Sequence, residues 1–374
     1  MQRGRTFLAI SFVAVLATAA FPRAERAPAA AQAADTLPAR LTDQEFWKLS
    51  QDFSEPNGSF ASDNLVSNEI YLQWVVPDLV ARARQGAVYL GVGPEQNFTY
   101  IAALKPKMVF ITDVRRGNLH MHLLYKALFE LTENRADFVE MLFNKKRPAG
   151  LTATSTSTQI ANAFWDVFTS SEDVFKANLK RIQDHLTKTH NLPLDKADLD
   201  GIEYCYWSFY WYGMQINYSS SAQNNGRGGG TNSMAMYGDL MTHTDGSGVS
   251  RYYLASEESF KVMKDLETRN MLVPVVGNFA GPKALRAVGN YIKEHGATVA
   301  AMYLSNVEQY LNQDGIWGYF CSNVAAMPLD DRSTFIRSAR GGGGGGGGNG
   351  LVNSLGSMLN ETRACGRSPV SSVR

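Results

Sequence analysis

The sequence predicts an α/β protein: a doubly wound, mostly parallel sheet with helices on both faces. Three observations predict it. Short, wholly apolar runs that suit buried strands alternate with segments of helical period. The glycine pair Gly91 and Gly93 follows the first run, and an acid, Asp113, follows the second. Farther on, residues 272–304 read strand, helix, strand within 33 residues, the length of one crossover unit.

Residues 34–60 form a lead-in segment with turn residues such as Pro56-Asn57-Gly58. A helix is expected next, capped by Ser67, with Ile70, Trp74, Val75, Leu79 and Val80 near one face and a kink at Pro77. Ala87 to Leu90 is the first strand, and Gln96 to Leu104 a short helix that Pro106 stops. Met108 to Thr112 is the second strand, after which Asn118 caps a helix with Leu119, Leu123, Leu124, Ala127, Leu128 and Leu131 on one face. Residues 136–200 read as helical, with a helix start at Ser170 before Glu172 and Asp173. The aromatic stretch 202–218 suits either a buried strand or a buried helix.

Residues 219–250 are rich in Gly, Ser, Asn and Thr, which suits a polar loop, either a lid over a ligand or a plain surface insertion. Leu272 to Phe279 then reads as a strand. A helix follows with Pro282 in its first turn, Ala284, Leu285, Val288, Tyr291 and Ile292 on its apolar face and Gly296 as its stop, and Thr298 to Leu304 reads as a parallel strand. The main domain is expected over 61–340. Residues 341–374 open with the run Gly341 to Gly348 and are expected to form a mobile tail outside the fold, since glycine loses the most backbone entropy on ordering.

At the N-terminus, Arg3 and Arg5 precede an uncharged apolar run, Phe7 to Phe21. Its length suits a secretory leader better than a membrane span, which needs about 20 residues. Ala17-Thr18-Ala19 and Ala31-Gln32-Ala33 offer small-x-small cleavage sites. The expectation is a signal peptide over 1–33 and an exported, periplasmic or extracellular, mature chain. An uncleaved anchor on an Ala/Pro-rich stalk is the other reading.

The leader holds four Arg and one Glu, so the formal charge moves from +1 for the whole chain to about −2 for residues 34–374. No basic run remains, which removes the electrostatic footprint of nucleic-acid binding. Of three cysteines, Cys205 and Cys321 are the expected pair, with Cys365 in the tail; three free thiols are the alternative. No metal site is expected. His120 and His122 stand two apart on a helix and point to different faces, and both are read as surface or satisfied side chains. His243, beside Thr244-Asp245-Gly246, is read as part of a turn.

Ligands of open α/β sheets bind beyond the carboxyl ends of the strands. That rule selects Gly91, Gly93 and Glu95 after the first strand, Asp113 after the second, Gly277 and Asn278 after the third, and Ser305, Asn306 and Glu308 after the fourth. An acid at Asp113 suits the ribose hydroxyls of an adenosine-containing ligand. Gln96 stands where a dinucleotide site would have its third glycine, which favours adenosylmethionine over NAD.

Val88-Tyr89-Leu90-Gly91-Val92-Gly93, with Ile111-Thr112-Asp113, resembles the first two motifs of class I S-adenosylmethionine-dependent methyltransferases. The chain also resembles a family of uncharacterised bacterial proteins with that Rossmann-type fold. The matching stretches are Ser62 to Glu69, Gly277 to Leu285, Leu304 to Leu311 and Thr334 to Ser338. The resemblance implies S-adenosylmethionine as cofactor, with Gly91 and Gly93 at its methionine end and Asp113 on its ribose. Glu95 replaces the third glycine of the first motif, and Asn278-Phe279 partly echoes the motif of amino-methylating members. Glu308 is read either as the acceptor of a substrate proton or as an acid at a helix start. Two functions follow: methyl transfer to a small molecule or protein, or non-catalytic binding of an extracytoplasmic ligand or partner in the same cleft.

Overall fold

The computed structural model describes residues 35–220, 234–340 and 351–365. The expected leader over 1–33, the glycine run, and residues 221–233 of the polar loop lie outside them.

Six strands form one sheet: β1 (Val88–Gly91), β2 (Met108–Asp113), β3 (Leu272–Val276), β4 (Val299–Ser305), β5 (Thr334–Arg340) and β6 (Leu351–Ser357). Their order is β3-β2-β1-β4-β5-β6. The first five are parallel, and β6 runs antiparallel to β5. The protein is therefore α/β with a mostly parallel sheet.

Every residue of β1, β2 and β3 is buried, which is why these strands appear as unbroken apolar runs. Tyr89 pairs with Val109 and Leu90 with Phe110, so Tyr89 and Phe110 point to opposite faces. On the Phe110 face, Phe53 of the helix Asp43–Phe53 and Tyr291 of the helix Ala284–Glu294 meet its ring at 6.1 and 5.9 Å. On the other face the Tyr89 hydroxyl donates to Asn97 of the helix Gln96–Leu104 at 2.9 Å. Helices thus cover both faces.

The strand–helix–strand unit at 272–304 is present, but its strands are not neighbours. Two strands, β2 and β1, lie between β3 and β4, so the crossover spans half the sheet. Gly296, at φ +63°, ends its helix where a side chain would be strained.

Several elements differ from expectation. Pro77 begins the helix Val76–Arg82 instead of kinking a longer one, because its missing N–H costs nothing in a first turn. The helix expected from Asn118 starts earlier, as Arg116–Leu131. The aromatic stretch is helical: in Lys196–Tyr212, Asp195 accepts from the Asp198 N–H at 2.9 Å, and Ile202, Cys205, Tyr206 and Phe209 form the buried stripe. Within the expected polar loop, the helix Tyr237–Thr242 buries Tyr237, Leu240 and Met241.

The largest corrections fall at the C-terminal end. Residues 351–365 belong to the fold: β6 pairs with β5 along its full length, and the helix Met358–Thr362 follows. Cys365 is bonded to Cys321, not left in a free tail. Cys205 is the free thiol, and burial pushes it up to about 12. The composition of the glycine run masked the strand alternation that begins just after it.

Candidate functional site

The strand order reverses between β1 and β4, the position where open α/β sheets bind ligands. A cleft of about 1100 Å³ opens there. Asp113 enters it from the end of β2, Asn278 from the loop after β3, and Ser305 and Asn306 from the end of β4. The segment before β1 supplies Asn64 and Ser67, and the helix Tyr237–Thr242 brings Asp239 and Thr242 to the rim beside His243.

Of the residues picked out in the sequence, Asp113, Gly277, Asn278, Ser305 and Asn306 meet at this cleft. Asp113 Oδ1 accepts from the Arg115 backbone N–H at 2.9 Å and its side chain at 3.2 Å. Arg115 also donates to the carbonyl of Asp63, which fixes the turn after β2. Asn278 Oδ1 accepts from the Ala280 N–H at 2.9 Å and orders the loop after β3.

The other four do not line the cleft. A Cβ at Gly91 would lie 2.0 Å from Asn97 Oδ1, so this glycine makes room for a side chain of the protein and not for a ligand. Gly93 has φ +75° and faces Asn64, and its carbonyl lies 3.0 Å from Nε2 of His122. Burial lowers His122 to about 4, so its imidazole is neutral and serves to hold the glycine turn. Glu95 is wholly buried: Oε1 accepts from the Ser67 N–H at 3.3 Å, Oε2 has no partner, and burial raises the carboxyl to about 8. Glu308 pairs with Arg337 and accepts from the Trp317 indole at 3.0 Å.

Two residues carry the site without having been selected from the sequence. Glu69 is fully buried beneath the cleft and accepts four hydrogen bonds. Tyr303 and Ser305 of β4 reach Oε1 at 2.8 and 2.7 Å, and Gln96 and Asn353 reach Oε2 at 2.5 and 2.8 Å. Donors from a helix and two distant strands share this one carboxylate, a convergence that no local spacing announces. His243 is the second. Asp245, not His243, organises the turn, accepting from the N–H groups of Ser247 and Val249 at 2.9 Å each. The His243 ring packs edge-on to Tyr71 at the cleft, and burial lowers its pKa. His120, by contrast, is satisfied as expected, facing Asp198 at 2.8 Å beside Arg116.

The electrostatics of the cleft are one-sided. Asp113, Asp239 and Asp314 line it; Asp113 is paired to Arg115 behind the wall, and among the described residues no Lys or Arg lines the cleft itself.

The profile of a domain of unknown function, DUF7790, matches residues 65–194 and 229–348. These stretches hold β1 to β5 and most of the cleft wall. No curated protein matches the chain. The matched residues cover more than half of the sequence, and the chain belongs to the DUF7790 family.

Proposed function

We propose that this protein is an exported domain of methyltransferase-like Rossmann fold that binds a small, positively charged, adenosine-containing ligand, with S-adenosylmethionine the leading candidate. The acidic cleft carries this reading. Asp239 and Asp314, with no lining Lys or Arg and with Asp113 already paired to Arg115, suit a sulfonium and an ammonium, and repel the pyrophosphate of a dinucleotide. The strand order β3-β2-β1-β4-β5, with the cleft at its reversal, supports the fold assignment.

The residues fit such a ligand at its ribose end. A carboxylate has about four lone-pair sites; Arg115 takes two on Oδ1 and one, at 3.4 Å, on Oδ2, so Asp113 can still accept from one ribose hydroxyl through Oδ2. The methionine end falls to Asn64, Ser67 and Gln96, which line the cleft, and not to Gly91 and Gly93.

When bound, the ligand supplies an electrophilic methyl group, whose transfer depends mainly on alignment. This chain's part is to orient the acceptor through the amides of Asn278 and Asn306 and to take up its proton. His243 is placed for that step because it lines the cleft. Burial lowers its pKa, which leaves the imidazole unprotonated and free to accept a proton, though as a weaker base than an exposed histidine. Glu308 is already committed to Arg337 and Trp317.

That commitment favours a second reading, a non-catalytic binding domain on the same scaffold. The leader favours it too, since adenosylmethionine is made in the cytoplasm and its charge bars passive crossing.

Thermal shift with adenosylmethionine and adenosylhomocysteine tests the proposal. The expected result is stabilisation of the wild type that Asp113→Ala abolishes. No shift of the wild type at saturating ligand would sink the cofactor assignment. Stabilisation without methyl transfer to any acceptor would select the second reading. Cell fractionation tests export: a mature chain found in the cytoplasm would refute it.

A further inference from the structure

Three side chains converge near the far end of the helix Arg116–Leu131, well away from the cleft. Glu130 lies fourteen residues after Arg116 on this helix, a rise of about 21 Å. Its Oε2 lies 2.5 Å from Nε2 of His185 and 2.5 Å from Nε2 of His190. All three side chains are largely buried, at 7, 16 and 12% exposure.

The backbone is built for this meeting. His185–Thr189 is a π-turn, closed by a 3.1 Å bond from the His190 N–H to the His185 carbonyl. On an α-helix, residues five apart point about 140° away from each other. The wider π-turn brings them to one side, and such turns recur at functional sites.

The surrounding groups orient the trio. His190 Nδ1 lies 2.7 Å from Asp43 Oδ1, which also accepts from Asn270 Nδ2 at 2.8 Å. Lys126 donates to the other Glu130 oxygen, Oε1, at 2.7 Å, and is held by the Glu267 carbonyl and Asn270 Oδ1. If His190 donates from Nδ1 to Asp43, the lone pair of Nε2 points at a carboxylate oxygen. A cation between the two resolves that conflict; a second proton is the rival.

We propose that Glu130, His185 and His190 form a binding site for a zinc-class divalent cation. The donor set of two imidazoles and one carboxylate suits zinc, and a carboxylate behind a ligating imidazole, as Asp43 stands behind His190, fixes its tautomer. The three ligand atoms lie within 4.8 Å of one another. A tetrahedral ion with bonds of about 2.0–2.2 Å fits once the imidazoles retreat from Glu130 by roughly 1 Å. A groove of about 320 Å³ lies beside His185, edged by Arg181, Asp184 and Lys188, and water would complete the four-coordinate set. The bound ion clamps the helix Arg116–Leu131 and the π-turn together, and through Asp43 the helix Asp43–Phe53.

The test uses the full chain, stripped with a chelator and titrated with Zn²⁺ and with Co²⁺. The expected result is one bound equivalent, a visible Co²⁺ absorption typical of a tetrahedral site, and a raised Tm. His185→Gln and His190→Gln should each lose the equivalent, and Asp43→Asn should weaken binding about 10–100-fold. His295→Gln, outside the trio, should leave binding unchanged. Circular dichroism checks that each variant is folded; Glu130→Gln, which keeps a hydrogen-bonding group between the imidazoles, replaces any that is not. The proposal is overturned if the wild type takes up no equivalent of either ion, or if the His185→Gln/His190→Gln double variant still binds one.

Discussion

Asn353 of β6 donates to Oε2 of Glu69 at 2.8 Å, which ties the last strand of the sheet to the carboxylate beneath the cleft. Its amide also reaches Ser338 Oγ on β5 at 3.0 Å. The segment after the glycine run therefore supports the site and is not an appendage to it.

Replacing Asn353 with Leu should expose what this contact contributes. Glu69 would keep three donors and lose the fourth in a fully buried setting. The expected cost is about 1–3 kcal/mol, the penalty for leaving a buried polar group short of a partner. Urea unfolding measures it. An unchanged midpoint would mean that water replaces the amide.

Reducing the disulfide should also loosen this end. Cys321 and Cys365 are separated by 44 residues, so the chain-entropy relation gives about 4 kcal/mol for closing the loop. Cys365→Ser should lower Tm clearly, and a reductant should then have no further effect. Equal Tm values for the wild type with and without reductant would refute this.

Gly91 separates a structural role from a ligand-binding one. Gly91→Ala places a Cβ against Asn97, which bonds Tyr89 and the carbonyls of Val92 and Pro94. Overpacking of this kind costs about 1–3 kcal/mol. The loss should appear in the absence of any ligand. A variant of normal stability with weakened ligand binding would instead return this glycine to the binding site.

Glu95 should give stability a pH dependence of definite sign. Burial raises its carboxyl to about 8 from the ordinary 4.5, so the folded chain keeps a proton that the unfolded chain releases. The contribution is fully present below the unfolded value and is lost as pH rises to the folded one. Glu95→Gln mimics the protonated form. It should gain on the wild type between about pH 5 and about pH 8, by up to a few kcal/mol. Glu267, also raised to about 8, adds a parallel slope that persists in the variant. Paired urea titrations at the two pH values decide: a gap of equal size at both would contradict a neutral Glu95.

The sequence by itself determined the alternation of buried strands and helices, the placing of Asp113, Asn278 and Asn306 at strand ends, and the crossover at 272–304. These follow from periodicity and local chemistry, which act within a few residues of each other. Tertiary structure alone decided the rest. The strand order put β1 and β2 between two strands that are consecutive in the chain. The pairing of β6 with β5 brought Asn353 to Glu69 across 284 residues, and Cys365 to Cys321 in place of Cys205. A π-turn put His185 and His190 on one side, against the rule that holds for an α-helix. In each case the contact joins groups far apart in sequence or a local geometry outside the usual periods. Their energies depend on burial and on partners that no window of neighbouring residues contains.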